Sequence, residues 1–205
     1  MPDSIAIQSH KGTYEARFTP SLLTDPSLLL EGEPHFIIDS NIARLYSQQL
    51  RSVLLHQNVI LVDATEQNKS LESASRIITE LVAQKTRRNH HLVAIGGGII
   101  QDLVCFIAST LLRGVSWQLV PTTLLAQADS CIGSKSSINV GDAKNIVGTF
   151  YPPTKIFIDQ NFLRTLHQSE IRSGIGEILK VHAIDSAESF NRVATSLDAI
   201  TNDLD

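Results

Sequence analysis

The chain has 205 residues, of which 42% are apolar and 19% charged, with a formal net charge of −4. That length buries a real core, and that balance is ordinary for a globular protein. It gives no whole-chain basic surface for nucleic acid or an anionic membrane. No apolar run approaches the roughly 20 residues that span a bilayer, and MPDSIAIQSHKG does not read as a secretory leader. Cys105 and Cys131 are the two cysteines. They make no disulfide framework, so a reducing cytoplasm is the expected setting.

From Ser4 to Phe18, apolar residues alternate loosely around Lys11-Gly12, which predicts a hairpin or two short strands. Leu22 to Leu30 is apolar without a period and stays unassigned. His35 to Ile38 is a short strand. It ends at Asp39-Ser40-Asn41, good helix caps, before a helix carrying Ile42, Leu45, Tyr46 and Leu50 on one face. A strand follows from Asn58 to Val62, then a polar turn, 63–69. Ser70 caps a second helix, with Glu72 in its first turn and a stripe of Leu71, Ala74, Ile77, Ile78, Leu81 and Val82. Strand and helix alternate, so a parallel sheet with covering helices is predicted.

Leu92 to Ile95 is apolar on both faces, as a doubly covered central strand is. Gly96-Gly97-Gly98 follows, then a helix from Ile99 to about Leu112. Glycines there let backbone approach a ligand, and the helix start favours an anion such as pyrophosphate. The bland alternative is a tight turn that needs positive φ. Asp102 would cap the helix or take a ligand hydroxyl. Val115 to Val120 is another strand, closed by Pro121-Thr122-Thr123, with a helix starting near Thr123. The stretch 128–145 reads as a polar loop rich in Asp, Ser, Lys and Asn. Lys155 to Asp159 is the last strand. From Gln168 the pattern turns helical, with Glu177 and Lys180 on one face, where an ion pair is the plain reading. A second helix is predicted from Ala187 to Leu204. The fold class is therefore α/β: a Rossmann-like, mostly parallel sheet with covering helices, then the start of an all-α region. The boundary falls between residues 1–163 and 164–205.

The motifs GGGIIQDLVCFIAST, Arg113-Gly114, PTTLLAQADSCIGSK, KNIVGTFYPP, Thr165-Leu166 and SGIGEILK occur in this order. In that order the chain, over about 37–185, resembles the 3-dehydroquinate synthases and related sugar phosphate cyclases. The resemblance implies a lyase that binds NAD in the α/β domain and closes a phosphorylated sugar acid, a heptulosonate phosphate or relative, with loss of phosphate. It implies Asp39, Asn41, Glu66 and Lys69 on the adenosine side, and Gly97, Gly98 and Asp102 around pyrophosphate and ribose. Thr122, Thr123, Lys144, Phe162 and Thr165 would also line the cofactor. Asp129, Lys135, Asn145 and Lys180 would meet the substrate, with Lys135 shared between both sets. Arg113 would reach the substrate phosphate of a neighbouring subunit, hence a homodimer. Glu177 would be one ligand of a divalent metal, normally zinc.

Ser134, Cys131, His167-Gln168 and the 140–143 segment depart from the family's usual residues, so the reaction type is implied more firmly than the sugar. The other two metal ligands would be histidines beyond residue 205, and His182 lies about 140° round the helix from Glu177. The 205 residues are therefore expected to be a portion of a longer enzyme, binding NAD weakly and showing no turnover alone. A metal-containing alcohol or glycerol dehydrogenase and a non-catalytic NAD-binding module are the rival expectations.

Overall fold

The computed structural model describes residues 4–196. Its main sheet has seven strands in the order β1-β2-β9-β6-β5-β3-β4. They are β1 (Ser4–Ser9), β2 (Gly12–Phe18), β3 (Pro34–Asp39), β4 (Val59–Val62), β5 (His91–Gly96), β6 (Ser116–Pro121) and β9 (Lys155–Ile158). Every pairing is parallel except the β1–β2 hairpin, whose second strand runs parallel to β9. The α/β expectation therefore holds, and the crossovers bring the ends of β3, β5, β6 and β9 to one edge of the sheet. Phe36, Ile37, Ile38, Leu92, Val93, Ala94 and Ile95 are fully buried. That is why their sequence is apolar without alternation.

Helices α3 (Leu71–Ala83) and α4 (Gly98–Thr110) cover one face. Ser70 caps α3 by accepting from the Ser73 N–H, as its sequence predicts. Ala74, Ile77 and Leu81 are buried from its stripe, but Val82 is 62% exposed and does not belong to it. On the other face, the single helix expected after β3 is two short ones, α1 (Ser40–Leu45) and α2 (Arg51–Leu54). The predicted face survives this break. Tyr46, Leu50 and Leu54 each donate their N–H to the carbonyl four residues back, which keeps Ile42, Tyr46 and Leu50 in one buried row. The unassigned stretch holds a 3-10 helix, Pro26–Leu30, capped by Asp25. Helices α5 (Gln168–Asp185) and α6 (Ala187–Ala194) follow the last strand. The rest of the second predicted helix, 197–204, lies outside the described residues.

Four histidines gather where β3 and β5 begin, at the edge opposite the strand ends. His35 is fully buried; its Nδ1 meets Gln84 Oε1 and its Nε2 meets His90 Nδ1, each at 2.9 Å. The His35 and His90 rings stack at 5.2 Å. A neutral pair satisfies this chain: His35 donates to Gln84 and accepts from His90. Burial holds His35 below the usual histidine range; Gln84 and Glu33 oppose this, and His90 and His56 add to it. Burial lowers His91 as well, followed by His35, Lys155 and His90. A folded value below the unfolded 6.5 means that the unfolded chain takes up more protons. Stability is then complete above pH 6.5 and declines as pH falls below it. Over pH 7.5 to 5 this loss runs against a gain from Asp102, whose carboxyl burial raises to about 6. The histidine contribution is therefore read as the difference between the melting profiles of wild type and His35→Gln. His35→Gln should remove part of the acid-side loss. An unchanged profile would exclude His35 as the source.

Candidate functional site

The strand ends converge on α4. Gly97 stands at its N-cap with φ −83° and ψ −163°, and no side chain caps the first turn. None of Gly96, Gly97 and Gly98 has positive φ among the described residues, so the tight-turn reading of the triplet fails. For Gly96 and Gly97 the reason is space. A Cβ on Gly96 would stand 2.5 Å from Ile100 Cγ1, and one on Gly97 2.8 Å from Thr123 Cγ2. A Cβ on Gly98 would meet nothing within 4 Å. The open side of Gly98 and the uncapped helix start form an anion cradle.

Above the cradle lie two clefts of about 660 and 400 Å³ that share Gly98, Asp102 and Leu125 as a common wall. Asp129, Lys135, Ser137, Asn145 and Glu177 line the larger. Lys69, Thr123, Ser169, Glu170 and Ser173 line the smaller. Lys69 joins them electrostatically. Its Nζ donates to Asn145 Oδ1 at 2.8 Å and stands 3.4 Å from Asp102 Oδ2 and 3.6 Å from Glu66 Oε1. Two of its three donors therefore face carboxylates at ion-pair rather than hydrogen-bond distance. Burial pushes the Asp102 carboxyl up to about 6, against the pull of Lys69 and the Ser137 N–H. Glu66 is held below the usual carboxylate range, first by the Asn139 side-chain amide and then by Lys69 and Lys144.

The stretch 128–145 is not a simple loop. It begins within a π-turn, Ala126–Ser130, and ends in a hairpin, β7 (Ile138–Val140) with β8 (Ala143–Val147). Asn139, which sequence reasoning missed, ties this hairpin to the Glu66–Lys69 turn. Its Nδ2 donates to Glu66 O and Oε1, its Oδ1 accepts from the Asn145 N–H, and its own N–H bonds Lys69 O. Asn145 is held in the left-handed region at φ 58°, with its amide toward Lys69 and Ser137. A buried Asn in an otherwise apolar INV strand was the available clue.

Asp39 caps α1 through the Asn41 N–H, and burial raises its carboxyl with Glu170 and Asp63 adding to the effect. Lys144 is exposed on β8. Phe162 is a core residue stacked edge-on with Tyr46, so its side chain does not line either cleft. Thr165 Oγ1 bonds Tyr46 Oη. Arg113 lies at the far end of α4, roughly 20 Å from Gly98 by helix rise. Leu112, Arg113 and Gly114 all have positive φ there, a rare run that turns the exposed Arg113 outward.

Helix α5 packs close to the larger cleft because Gly174 has no Cβ; one built there would stand 2.6 Å from Leu124 Cγ. Glu177, one turn on, pairs with Lys180. Two tests of fit follow. For a dinucleotide, the cradle fits, and the fully buried Thr122 hydroxyl finds no partner among the described residues. For a metal, the described residues do not fit. No three His, Cys, Asp or Glu side chains gather at one point among them, and His182 Nδ1 is bonded to Ser189 Oγ at 2.7 Å.

Comparison with known proteins gives the family and the fold. A family model described as 3-dehydroquinate synthase N-terminal matches residues 59–173. The 3-dehydroquinate synthase of Enterococcus faecalis (strain ATCC 47077 / OG1RF) is 42% identical over 163 residues, 78% of this chain and 46% of its own. The solved 2-epi-5-epi-valiolone synthase ValA of Streptomyces hygroscopicus subsp. jinggangensis 5008, with NAD+ and Zn2+ bound, superposes with a TM-score of 0.74. It is 33% identical over 82% of this chain and 49% of that one. Glycerol dehydrogenase from Schizosaccharomyces pombe has a TM-score of 0.60 at 20% identity, covering 82% of this chain and 42% of its own, a likeness of fold alone. The chain spans about half the length of the curated relatives it matches.

Proposed function

Because the chain belongs to the 3-dehydroquinate synthase family, we propose that it carries the cofactor-and-substrate half of a cyclase. The enzyme would bind NAD and close a phosphorylated sugar acid into a carbocycle with loss of phosphate. One observation carries this reading: Lys69, Asp102 and Asn145 meet at the wall shared by two clefts, directly above an uncapped helix start. A solvated surface has no reason to bury a lysine among those partners.

Bound NAD would supply reversible hydride exchange at a ring hydroxyl. The N–H groups opening α4 would hold its pyrophosphate together with the Lys69 ammonium, and Asp102 would accept from a ribose hydroxyl. The place of Lys69 beside Asp102 and Asn145 supports that role over one on the adenosine side. Asp129, Lys135 and Asn145 would fix the hydroxyls and anionic groups of the substrate in the larger cleft, and Lys180, exposed and paired with Glu177, would join them from α5. Arg113, turned away from its own cleft, would serve a partner subunit, so a homodimer is part of the proposal. Residues 164–205 would open the helical domain that completes the site. Glu177 would be this chain's one ligand to a divalent metal such as zinc, the others lying outside the described residues. One carboxylate does not hold the ion, so no step is assigned to it.

NAD is expected to raise the melting temperature of this chain. Thr122→Val tests the cradle further. It replaces an unpartnered buried hydroxyl with an isosteric methyl, so the ligand-free protein should gain roughly 1 kcal/mol. The NAD-induced shift should shrink, because the hydroxyl's proposed partner is the cofactor. Absence of any NAD shift in the wild type would sink the reading. Cyclase turnover by these residues alone would overturn the division of labour between the two halves. Net NADH formation with a simple alcohol would instead support a dehydrogenase.

A further inference from the structure

The π-turn Ala126–Ser130 is held from two sides by glutamines. Gln127, inside it, donates to Pro121 O at 3.0 Å and Asp159 O at 2.9 Å, which ties the turn to the ends of β6 and β9. Gln101, from α4, holds its other end. The turn stops at Ser130, so the Ser130 carbonyl lacks the donor that a continuing helix would give it. Gln101 Nε2 donates to that carbonyl at 2.6 Å, and Gln101 Oε1 accepts from Ser130 Oγ at 3.0 Å. One amide therefore reads both the main chain and the side chain of a single residue. Gln101 is 7% exposed, and it lines the larger cleft beside Asp129 and Asp102.

Wide turns of this kind lack the regular i→i+4 ladder and need outside support to keep one shape. Here the Cys131 N–H reaches back to Ala126 O, five residues away. Asp129 sits within the widened segment and faces the cleft. Fixing its neighbour Ser130 at two atoms fixes the direction of its carboxylate. Nothing in the α4 core asks for an amide at position 101: Ile100, Leu103, Val104 and Ile107 around it are apolar and buried.

We propose that Gln101 is a positioning residue for the substrate cleft: its two bonds to Ser130 lock the π-turn so that Asp129 points at the bound sugar acid. This rests on the reading of the larger cleft as the substrate half. Gln101 touches Ser130, not the reacting atoms, and acts through Asp129.

Two variants separate the role from packing. Gln101→Met keeps the volume and loses both bonds. Gln101→Glu keeps the shape but opposes a carboxylate to the Ser130 carbonyl at neutral pH. Once protonated, it again donates to that carbonyl and accepts from the hydroxyl. Calorimetry with saturating NAD and a seven-carbon sugar-acid phosphate as probe is expected to show about tenfold weaker probe binding for Gln101→Met. Its NAD affinity should stay within about twofold of wild type, because the cradle does not use this clamp. Gln101→Glu should be weak at pH 7.5 and regain most of the wild-type affinity at pH 5.5, compared with wild type at each pH. Equal probe binding by wild type and Gln101→Met, or no recovery of Gln101→Glu in acid, would overturn the clamp. If wild type binds neither NAD nor the probe, the proposed function fails and amide exchange alone decides the clamp. Amides 127–131 should then exchange about tenfold faster in Gln101→Met, with α4 unchanged; equal rates would overturn it.

Discussion

Replacing Lys69 by Met is expected to abolish measurable NAD binding while leaving the chain folded. The Lys69 side chain is only 10% exposed and faces Asp102, Glu66 and Asn145. It is the cation that makes the wall between the clefts habitable for a pyrophosphate, and charge-assisted hydrogen bonds are the strong ones. Two of its donors are spent at ion-pair distances, so an incoming phosphate oxygen can take them without breaking a good hydrogen bond. Losing them should weaken NAD roughly a hundredfold, the scale of two charge-assisted bonds. The folded state should lose only roughly 1–2 kcal/mol. Asp102, already raised to about 6, takes up a proton when its partner is gone and so avoids standing as a bare buried charge. Lys69→Arg should not rescue binding, because a planar fork does not replace a point charge among three separated acceptors. Calorimetry and melting curves on both variants check this. Wild-type NAD affinity in Lys69→Met would make the lysine a structural residue only.

How this wall could be foreseen differs from residue to residue. The strands β3, β5, β6 and β9 were legible because a central parallel strand is apolar on both faces; β4, at the edge of the sheet with Leu61 exposed, was legible as a short apolar run bounded by turn residues. The caps at Asp39 and Ser70 were legible because a cap is a local bond between near neighbours. The glycine triplet was legible as a place but not as a mechanism. Its φ angles are ordinary; Gly96 and Gly97 are glycines because Ile100 and Thr123 crowd them from the elements that follow, while Gly98 stands open. The β7–β8 hairpin was missed because its strands are held by tertiary bonds from Asn139 to the Glu66–Lys69 turn, which no local pattern encodes. The outward turn at Leu112–Arg113 was missed for a related reason: side-chain-bearing residues enter the left-handed region only where surrounding structure forces them to. The pairing of Gln101 with Ser130, 29 residues apart, was likewise invisible. The chemical residues came from a family resemblance, and the structure brings Lys69, Asp102, Asn145, Asp129, Lys135 and Glu177 to adjoining clefts. It leaves Phe162 in the core and Arg113 at the other end of α4.

Asp102→Asn should make the ligand-free protein more stable at pH 7 and the site worse. In the folded chain the Asp102 carboxyl sits at about 6, above its ordinary 3.8, because burial penalises its charge more than Lys69 and the Ser137 N–H reward it. The sign follows. Between those two values the folded state holds a proton that the unfolded state has released, so stability is complete below pH 3.8 and falls as pH rises through 6. The shift bounds the cost at pH 7 at roughly 3 kcal/mol. Asparagine keeps an oxygen for the Ser137 N–H, removes the charge and forfeits the 3.4 Å ion pair with Lys69. A net gain of roughly 1 kcal/mol is therefore expected at pH 7, shrinking to nothing near pH 4. The histidines are common to both proteins, so subtracting one stability profile from the other removes their contribution and isolates Asp102. NAD affinity should move the other way and fall about tenfold, since a carboxylate is a stronger acceptor for a ribose hydroxyl than an amide. A residue that costs stability when charged and strengthens binding when charged is kept for the ligand. Parallel stability profiles for the two proteins would show that Asp102 bears no such cost. An unchanged NAD affinity would remove it from the cofactor site.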